Sequence, residues 1–174
     1  RKSSIVLACR AIKKGNADAF FSAGSTGAMT AAATAYVTPF RYLAEGKKQP
    51  VRPCLTNALP NRAGGLTVLC DMGANPDVTV DDMVRFAQMG AAYARVVLGI
   101  EHPRVGLLAN GTEDEKGSNF TKGGAILLGL RGVVLIGHGA TSVEAVKNGT
   151  LAAAQAVRAG LVQDVANSMD GIVL

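Results

Sequence analysis

The stretch Ala17-Asp18-Ala19-Phe20-Phe21-Ser22-Ala23-Gly24-Ser25-Thr26-Gly27-Ala28, continued by an alanine-rich run to Val37, decides the fold class. Ala17 to Ser22 reads as a short buried strand and Ala23 to Gly27 as a turn. The run to Val37 reads as a helix, ended by Thr38-Pro39 because the residue before a proline is pushed out of the helical region. A strand that passes through a glycine turn straight into a helix is the building unit of α/β proteins. Gly24 and Gly27 let the backbone come close to a ligand, and the N–H groups at a helix start attract an anion. Ser25 and Thr26 add hydroxyl donors. The Gly-Lys-Ser/Thr ending of a P-loop is missing, so the alternative at this point is an ordinary helix start.

The same pattern extends outward. Upstream, Ser3 caps a helix that runs to about Lys14, with Ile5, Val6, Cys9 and Ile12 on one face, and Gly15-Asn16 stops it. Downstream, Pro53–Leu59, Leu66–Asp71, Arg104–Ala109 and Gly132–Gly137 read as further strands. Thr79-Val80-Asp81-Asp82 has the capping-box pattern and opens a long helix with Met83, Phe86, Ala87, Gly90, Tyr93, Ala94 and Val97 inward and Gly99 past its end. Thr141-Ser142-Val143-Glu144 caps a last helix that ends near Gly160. Asn110 to Leu130 has no clear period. The alternation implies one three-layer αβα domain over residues 1–174 with a largely parallel sheet, whose chemistry lies at the carboxyl ends of the strands.

Four polar turns follow those strands. Besides Ser22–Gly27 they are Asp71–Asp77, Asn110–Ser118 and Gly137–Ser142. In the second, Asp71 is a candidate acceptor or base and Asn75 a donor to a carbonyl or phosphate oxygen, against an Asp that only ties down its own loop. In the third, Lys116 beside Gly117 is placed to reach an anionic reactant. In the fourth, His138 lies between Gly137 and Gly139.

Composition narrows the class. With 174 residues, 48% hydrophobic and 18% charged, the chain is globular with a sizeable core. The net charge of +5 is concentrated locally: Arg41, Lys47, Lys48, Arg52 and Arg62 stand against Glu45. Such a patch suits an acidic protein, an anionic membrane surface or plain solvent. Nucleic acid is set aside, because no aromatic platform or reading motif accompanies the charge. Cys9, Cys54 and Cys70 are odd in number and lack metal-ligand spacing, as expected of cytosolic thiols in or near a core. No signal peptide and no apolar run long enough to span a bilayer are present.

Taken together, the turns resemble the bacterial phosphate acyltransferase family of phospholipid synthesis. The resemblance rests on Ser22-Ala23-Gly24-Ser25-Thr26-Gly27-Ala28, where the family usually has Asn in place of Ser25. It also rests on Arg52-Pro53, Asp71-Met72-Gly73-Ala74-Asn75, Phe86-Ala87-Gln88-Met89-Gly90 and Val97 through Leu108. Gly123-Gly124-Ala125 and Gly132-Val133-Val134 through His138-Gly139 resemble the closing segment, so nearly the whole chain is covered. Two departures stand out. The family's N-terminal strand region is missing, and the chain passes from family middle to family end near 116–121.

The resemblance implies a fold like that of phosphotransacetylase and isocitrate dehydrogenase. It implies transfer of a fatty acyl group from acyl carrier protein to inorganic phosphate, with no metal or cofactor. On that reading Ser22, Gly24, Ser25, Thr26, Gly27 and Asp71 bind phosphate or the acyl carbonyl. Lys116 positions phosphate, Asn75 donates to the oxyanion, and His138 orients or protonates a reactant. Lys47, Lys48 and Arg52 dock the acidic carrier. A cytoplasmic homodimer, peripheral at the inner face of the cell membrane through segments absent from this sequence, is implied too. The alternatives are a phosphate acetyl- or butyryltransferase using coenzyme A thioesters, and a non-catalytic anion-binding fragment.

Overall fold

The computed structural model describes residues 3–107, 125–137, 143–169 and 172–173. Its elements in chain order are α1 (Ser4–Lys13), β1 (Ala19–Ser22), α2 (Thr26–Tyr36), β2 (Arg41–Ala44), β3 (Lys47–Pro50), β4 (Cys54–Pro60), β5 (Leu66–Cys70), α3 (Val80–Leu98), β6 (Ala125–Leu128), β7 (Val133–Ile136), α4 (Val143–Arg158), α5 (Leu161–Ser168) and β8 (Ile172–Val173).

Local chemistry sets the boundaries. Ser3 caps α1 by accepting from the Val6 N–H at 3.4 Å. Thr79 and Asp82 form the reciprocal capping box at the start of α3. Gly99 ends α3 in the left-handed conformation with φ 69°, which costs a residue without Cβ nothing. Gly160 does the same after α4, where the last helix is expected to end, and at once begins α5, a further helix not expected from the sequence.

Among the described residues, one sheet has the order β1-β7-β6-β4-β5 and a second the order β3-β2-β8. The main sheet separates two apolar layers. Leu127, Val134 and Ile136 face α1 and α2 through Cys9, Ile12, Met29, Ala32 and Ala33. Ile126, Leu128, Val133 and Leu135 face α3, α4 and α5 through Phe86, Met89, Ala153, Ala156, Leu161 and Val165. The period-two alternation along β6 and β7 divides them this way. The three-layer αβα arrangement is therefore as expected.

Strand direction is not. Only the β1·β7 pair is parallel, whereas β7·β6, β6·β4 and β4·β5 are antiparallel. The reason is connection length. Asn61–Gly65 joins β4 to β5 and residues 129–132 join β6 to β7. A parallel crossover takes roughly a dozen residues or more, so these links close hairpins. Asn61 builds the first, its Oδ1 accepting from the N–H groups of Ala63 and Gly65 at 3.0 and 3.1 Å. The strand expected at Arg104–Ala109 is also corrected over its described part, since residues 104–107 belong to no strand and Val105 and Leu107 are exposed.

Gly132 lies where α1 and α2 press on the second hairpin. A Cβ there would sit 2.5 Å from Ile12 Cγ2 and 3.0 Å from Val37 Cγ1. Both neighbours are stiff β-branched side chains, so the crowding cannot relax easily. Gly132→Ala is expected to cost about 1–3 kcal/mol, read as a lower urea midpoint at unchanged m-value.

Candidate functional site

The turn after β1 is built by its own side chains. The Gly24 N–H donates to Ser22 Oγ at 3.2 Å, and a Cβ on Gly24 would lie 3.2 Å from that oxygen and 3.4 Å from Ile5 Cδ1. The Gly137 N–H donates to the Ser22 carbonyl at 2.7 Å, tying the turn to the end of β7. Ser25 is the N-cap of α2, but its side chain makes no capping bond. The first in-helix bond runs from the Met29 N–H to the Ser25 carbonyl at 2.9 Å, which leaves Thr26, Gly27 and Ala28 as the leading donors of the helix. Ser25, Thr26 and Gly27 are exposed, so the positive end of α2 opens to solvent at the tip of the sheet.

The turn after β5 has a different character. Asp71 Oδ1 accepts from the Leu55 N–H at 2.6 Å, and Oδ2 accepts from the Asn75 N–H at 2.9 Å and from Asn75 Nδ2 at 3.0 Å. Asn75 Nδ2 donates also to the Pro53 carbonyl at 2.9 Å. Both amide hydrogens of Asn75 and most of the acceptor capacity of Asp71 are thus spent on fastening the turn to β4. Asn75, expected as an oxyanion donor, and Asp71, expected to bind a ligand, bond here to each other and to β4.

The two turns do not share a site. β1 and β5 are the opposite edges of the five-strand sheet, four steps of about 4.8 Å or roughly 19 Å apart. The chain also leaves them at opposite ends, because β5 runs antiparallel to β4 and β4 runs in the same sense as β1 and β7. Ser22 pairs with Ile136 at one end of the sheet, whereas Asp71 folds back beside Pro53 and Leu55 at the start of β4. Lys116, His138 and the junction near 116–121 lie outside the described residues.

The basic segment folds as a hairpin. Glu45 and Gly46, with φ 50° and 73°, make the two-residue turn between β2 and β3. Lys47 and Lys48 are exposed on β3. On β2, Tyr42 packs under Arg85 of α3, whose guanidinium carbon lies 3.4 Å from the ring centroid and pins the small sheet to that helix. Arg52 is engaged elsewhere: its Nη1 donates to the Asp77 carbonyl, and its Nε lies 3.5 Å from Asp82 Oδ2. All three cations expected to dock a partner are exposed, but Arg52 is also held by Asp77 and Asp82.

Comparison with known proteins bears on this geometry. Residues 1–123 match the model of the family described as "Fatty acid synthesis protein". The chain belongs to this family. The matched region holds the Ser22–Gly27 turn, the hairpin and the Asp71–Asn75 turn, but ends short of β6. Relatives named "Phosphate acyltransferase" are similar over the same part. The one from Desulfitobacterium hafniense (strain Y51) is 45% identical over 123 residues, 70% of this chain and 34% of the relative. The one from Bacillus cereus (strain B4264) is 44% identical over 123 residues, 70% of this chain and 35% of the relative. The one from Clostridioides difficile (strain 630) is 40% identical over 122 residues, 70% of this chain and 34% of the relative. The chain thus spans about a third of the length of these relatives, and the match covers less of it than the nearly complete resemblance expected.

Two further features of this fatty acid synthesis family member escaped sequence reading. Cys54 and Cys70 meet across the β4–β5 hairpin with their sulfurs 2.9 Å apart. They are 16 residues apart in sequence, and only the hairpin register brings them together. A cavity of about 50 Å³ lies between α3, α4 and the sheet, lined by Thr56, Asn57, Tyr93, Leu135 and Gln155 among others. It has room for a few water molecules and not for a fatty acyl chain. Among the described residues no cluster of His, Cys, Asp and Glu is arranged to hold a metal ion, and no helix is long and apolar enough to cross a membrane.

Proposed function

We propose that this chain serves the transfer of a fatty acyl group from acyl carrier protein to inorganic phosphate, giving acyl phosphate for membrane phospholipid synthesis. The observation that carries this reading is the Ser22–Gly27 turn. It lies within the family match and ends in a helix start with exposed leading donors and no side-chain cap.

The chemistry asks little of the protein. Phosphate is already an anionic nucleophile near neutral pH, and a thiol with an ordinary pKa of roughly 8.5 leaves without strong acid help. A phosphate oxygen attacks the thioester carbonyl, the C–S bond breaks, and the carrier departs as a thiolate that takes up a proton. The protein must hold phosphate in line with the carbonyl and stabilise the oxyanion, with about 3 kcal/mol available per well-placed donor. The N–H groups of Thr26, Gly27 and Ala28 and the hydroxyls of Ser25 and Thr26 supply donors. Lys116 and His138 complete the site in this reading, as phosphate-positioning cation and as orienting or protonating group. Asp71 and Asn75 brace β4 against β5 rather than touching reactants.

The test is product formation. Acyl carrier protein thioester and phosphate together, with this protein, are expected to yield acyl phosphate, trapped as the hydroxamate. Product from coenzyme A thioesters alone would point to an acetyl- or butyryltransferase. The wide separation of the two polar turns favours a second reading, an anion-binding unit without turnover, and phosphate binding without product would select it.

Lys47 and Lys48 dock the acidic carrier, and the protein acts as a cytoplasmic homodimer at the inner face of the membrane. Reversing both lysines to glutamate is expected to raise the apparent KM for carrier-bound substrate by about 3–10-fold at low salt and to flatten its salt dependence. An unchanged salt profile would leave the hairpin as solvated surface.

A further inference from the structure

Cys54 begins β4 and is fully buried; Cys70 ends β5 and is partly exposed. Cys70 pairs with Thr56 in register, so Cys54 is its diagonal neighbour on the same strand, and the sulfurs are 2.9 Å apart. The Thr56 hydroxyl, itself fully buried, donates to Cys70 Sγ at 3.0 Å and lies 3.6 Å from Cys54 Sγ. Closing the sulfurs to a disulfide requires only about 0.85 Å of approach to the bond length of ~2.05 Å. Neither thiol has a part in the proposed acyl transfer.

We propose that Cys54 and Cys70 form an oxidisable dithiol that closes to an intramolecular disulfide, with a hydroperoxide as oxidant. The partly exposed Cys70 reacts first. Its thiolate attacks a peroxide oxygen and the O–O bond breaks, leaving a sulfenic acid on Cys70 and hydroxide. Cys54 Sγ then attacks that sulfur, the S–O bond breaks, and the departing hydroxyl leaves as water with the Cys54 proton. The pair loses two electrons and hydrogen peroxide is reduced to two waters. Hydrogen bonds from the Cys54 thiol and the Thr56 hydroxyl hold the Cys70 thiol below its ordinary range, against burial. Burial and the neighbouring Cys70 push the Cys54 thiol well up. Both shifts favour deprotonation of Cys70 over Cys54, the order these steps require. The new bond ties β4 to β5 next to Asp71.

Peptide mapping tests this directly. The folded protein is treated with a small excess of hydrogen peroxide, quenched with N-ethylmaleimide in denaturant, and cut with trypsin without reductant. Trypsin separates the cysteines at Arg62, and the Arg52-Pro53 bond resists it. The expected product is the 49–62 peptide disulfide-linked to the 63–85 peptide, with Cys54 and Cys70 losing their label together. Cys9, buried away from both, keeps its label in the 3–10 peptide, and dithiothreitol before labelling restores it at Cys54 and Cys70. In Cys70→Ser, Cys54 should stay labelled at the same peroxide dose. Sulfinic or sulfonic acid on Cys70 with Cys54 still labelled, or unchanged labelling at both, would overturn the proposal.

Discussion

Replacing Phe40 by alanine is expected to destabilise the protein by about 3–5 kcal/mol, the range for an aromatic side chain lost from a packed core. Phe40 is 1% exposed and belongs to the cluster that joins Val51, Phe86, Met89 and Leu128. Its backbone is fixed on both sides, the N–H donating to the Gly129 carbonyl at 3.0 Å and the carbonyl accepting from the Val51 N–H at 2.8 Å. The second bond closes the base of the β2–β3 hairpin, and the first ties it to the β6–β7 turn of the main sheet. The ring is thus the apolar anchor of the segment that carries Lys47 and Lys48. A domain of this size has about 5–15 kcal/mol in total, so the loss leaves a protein near its folding threshold. Urea denaturation gives the magnitude. Phe40→Leu, which keeps most of the volume, should cost clearly less, and equal costs for both would deny the ring its role as anchor.

Asp71→Ala is expected to cost about 3 kcal/mol. The carboxylate accepts three hydrogen bonds, from Leu55, the Asn75 backbone and the Asn75 side chain. Bonds to a charged acceptor are each worth about 1.5–3 kcal/mol, and they are not additive within one loop. Removing the acceptor leaves half-buried donors unpaired, which is the larger part of the cost. Asp71→Asn should lie between, because one oxygen remains while the new amide faces the donors of Asn75. A loss of turnover without loss of stability in Asp71→Ala would return Asp71 to the reacting groups.

Much of this fold is legible in the residues. The Ser3 and Thr79 caps, the glycine after α3 and the strand–turn–helix at Ser22–Thr26 each have a local cause, and the structure places them within a residue or two of expectation. What misled was direction. Pro60–Gly65 is recognisable as a turn, yet a turn that short forces β5 back along β4, and the expectation of a parallel sheet did not follow that through. Glu45-Gly46 hid the second hairpin, since glutamate is an unusual residue to hold a positive φ. β6 lay in a stretch without period, because all four of its residues are buried and no alternation marks them. The site suffered most. Ser22–Gly27 and Asp71–Asn75 look equivalent as glycine-containing turns after strands, and only the strand order shows that they leave opposite edges of the sheet. The hydrogen bonds that occupy Asn75 are likewise set by Pro53, 22 residues away in sequence.

The most direct measurement is a titration with inorganic phosphate followed by backbone amide chemical shifts. If phosphate is held at the start of α2, the amides of Thr26, Gly27 and Ala28 should shift together and saturate, while those of Gly73 and Asn75 stay in place. Shifts confined to Gly73–Asn75, or none at millimolar phosphate, would contradict the assignment of the Ser22–Gly27 turn as the anion site.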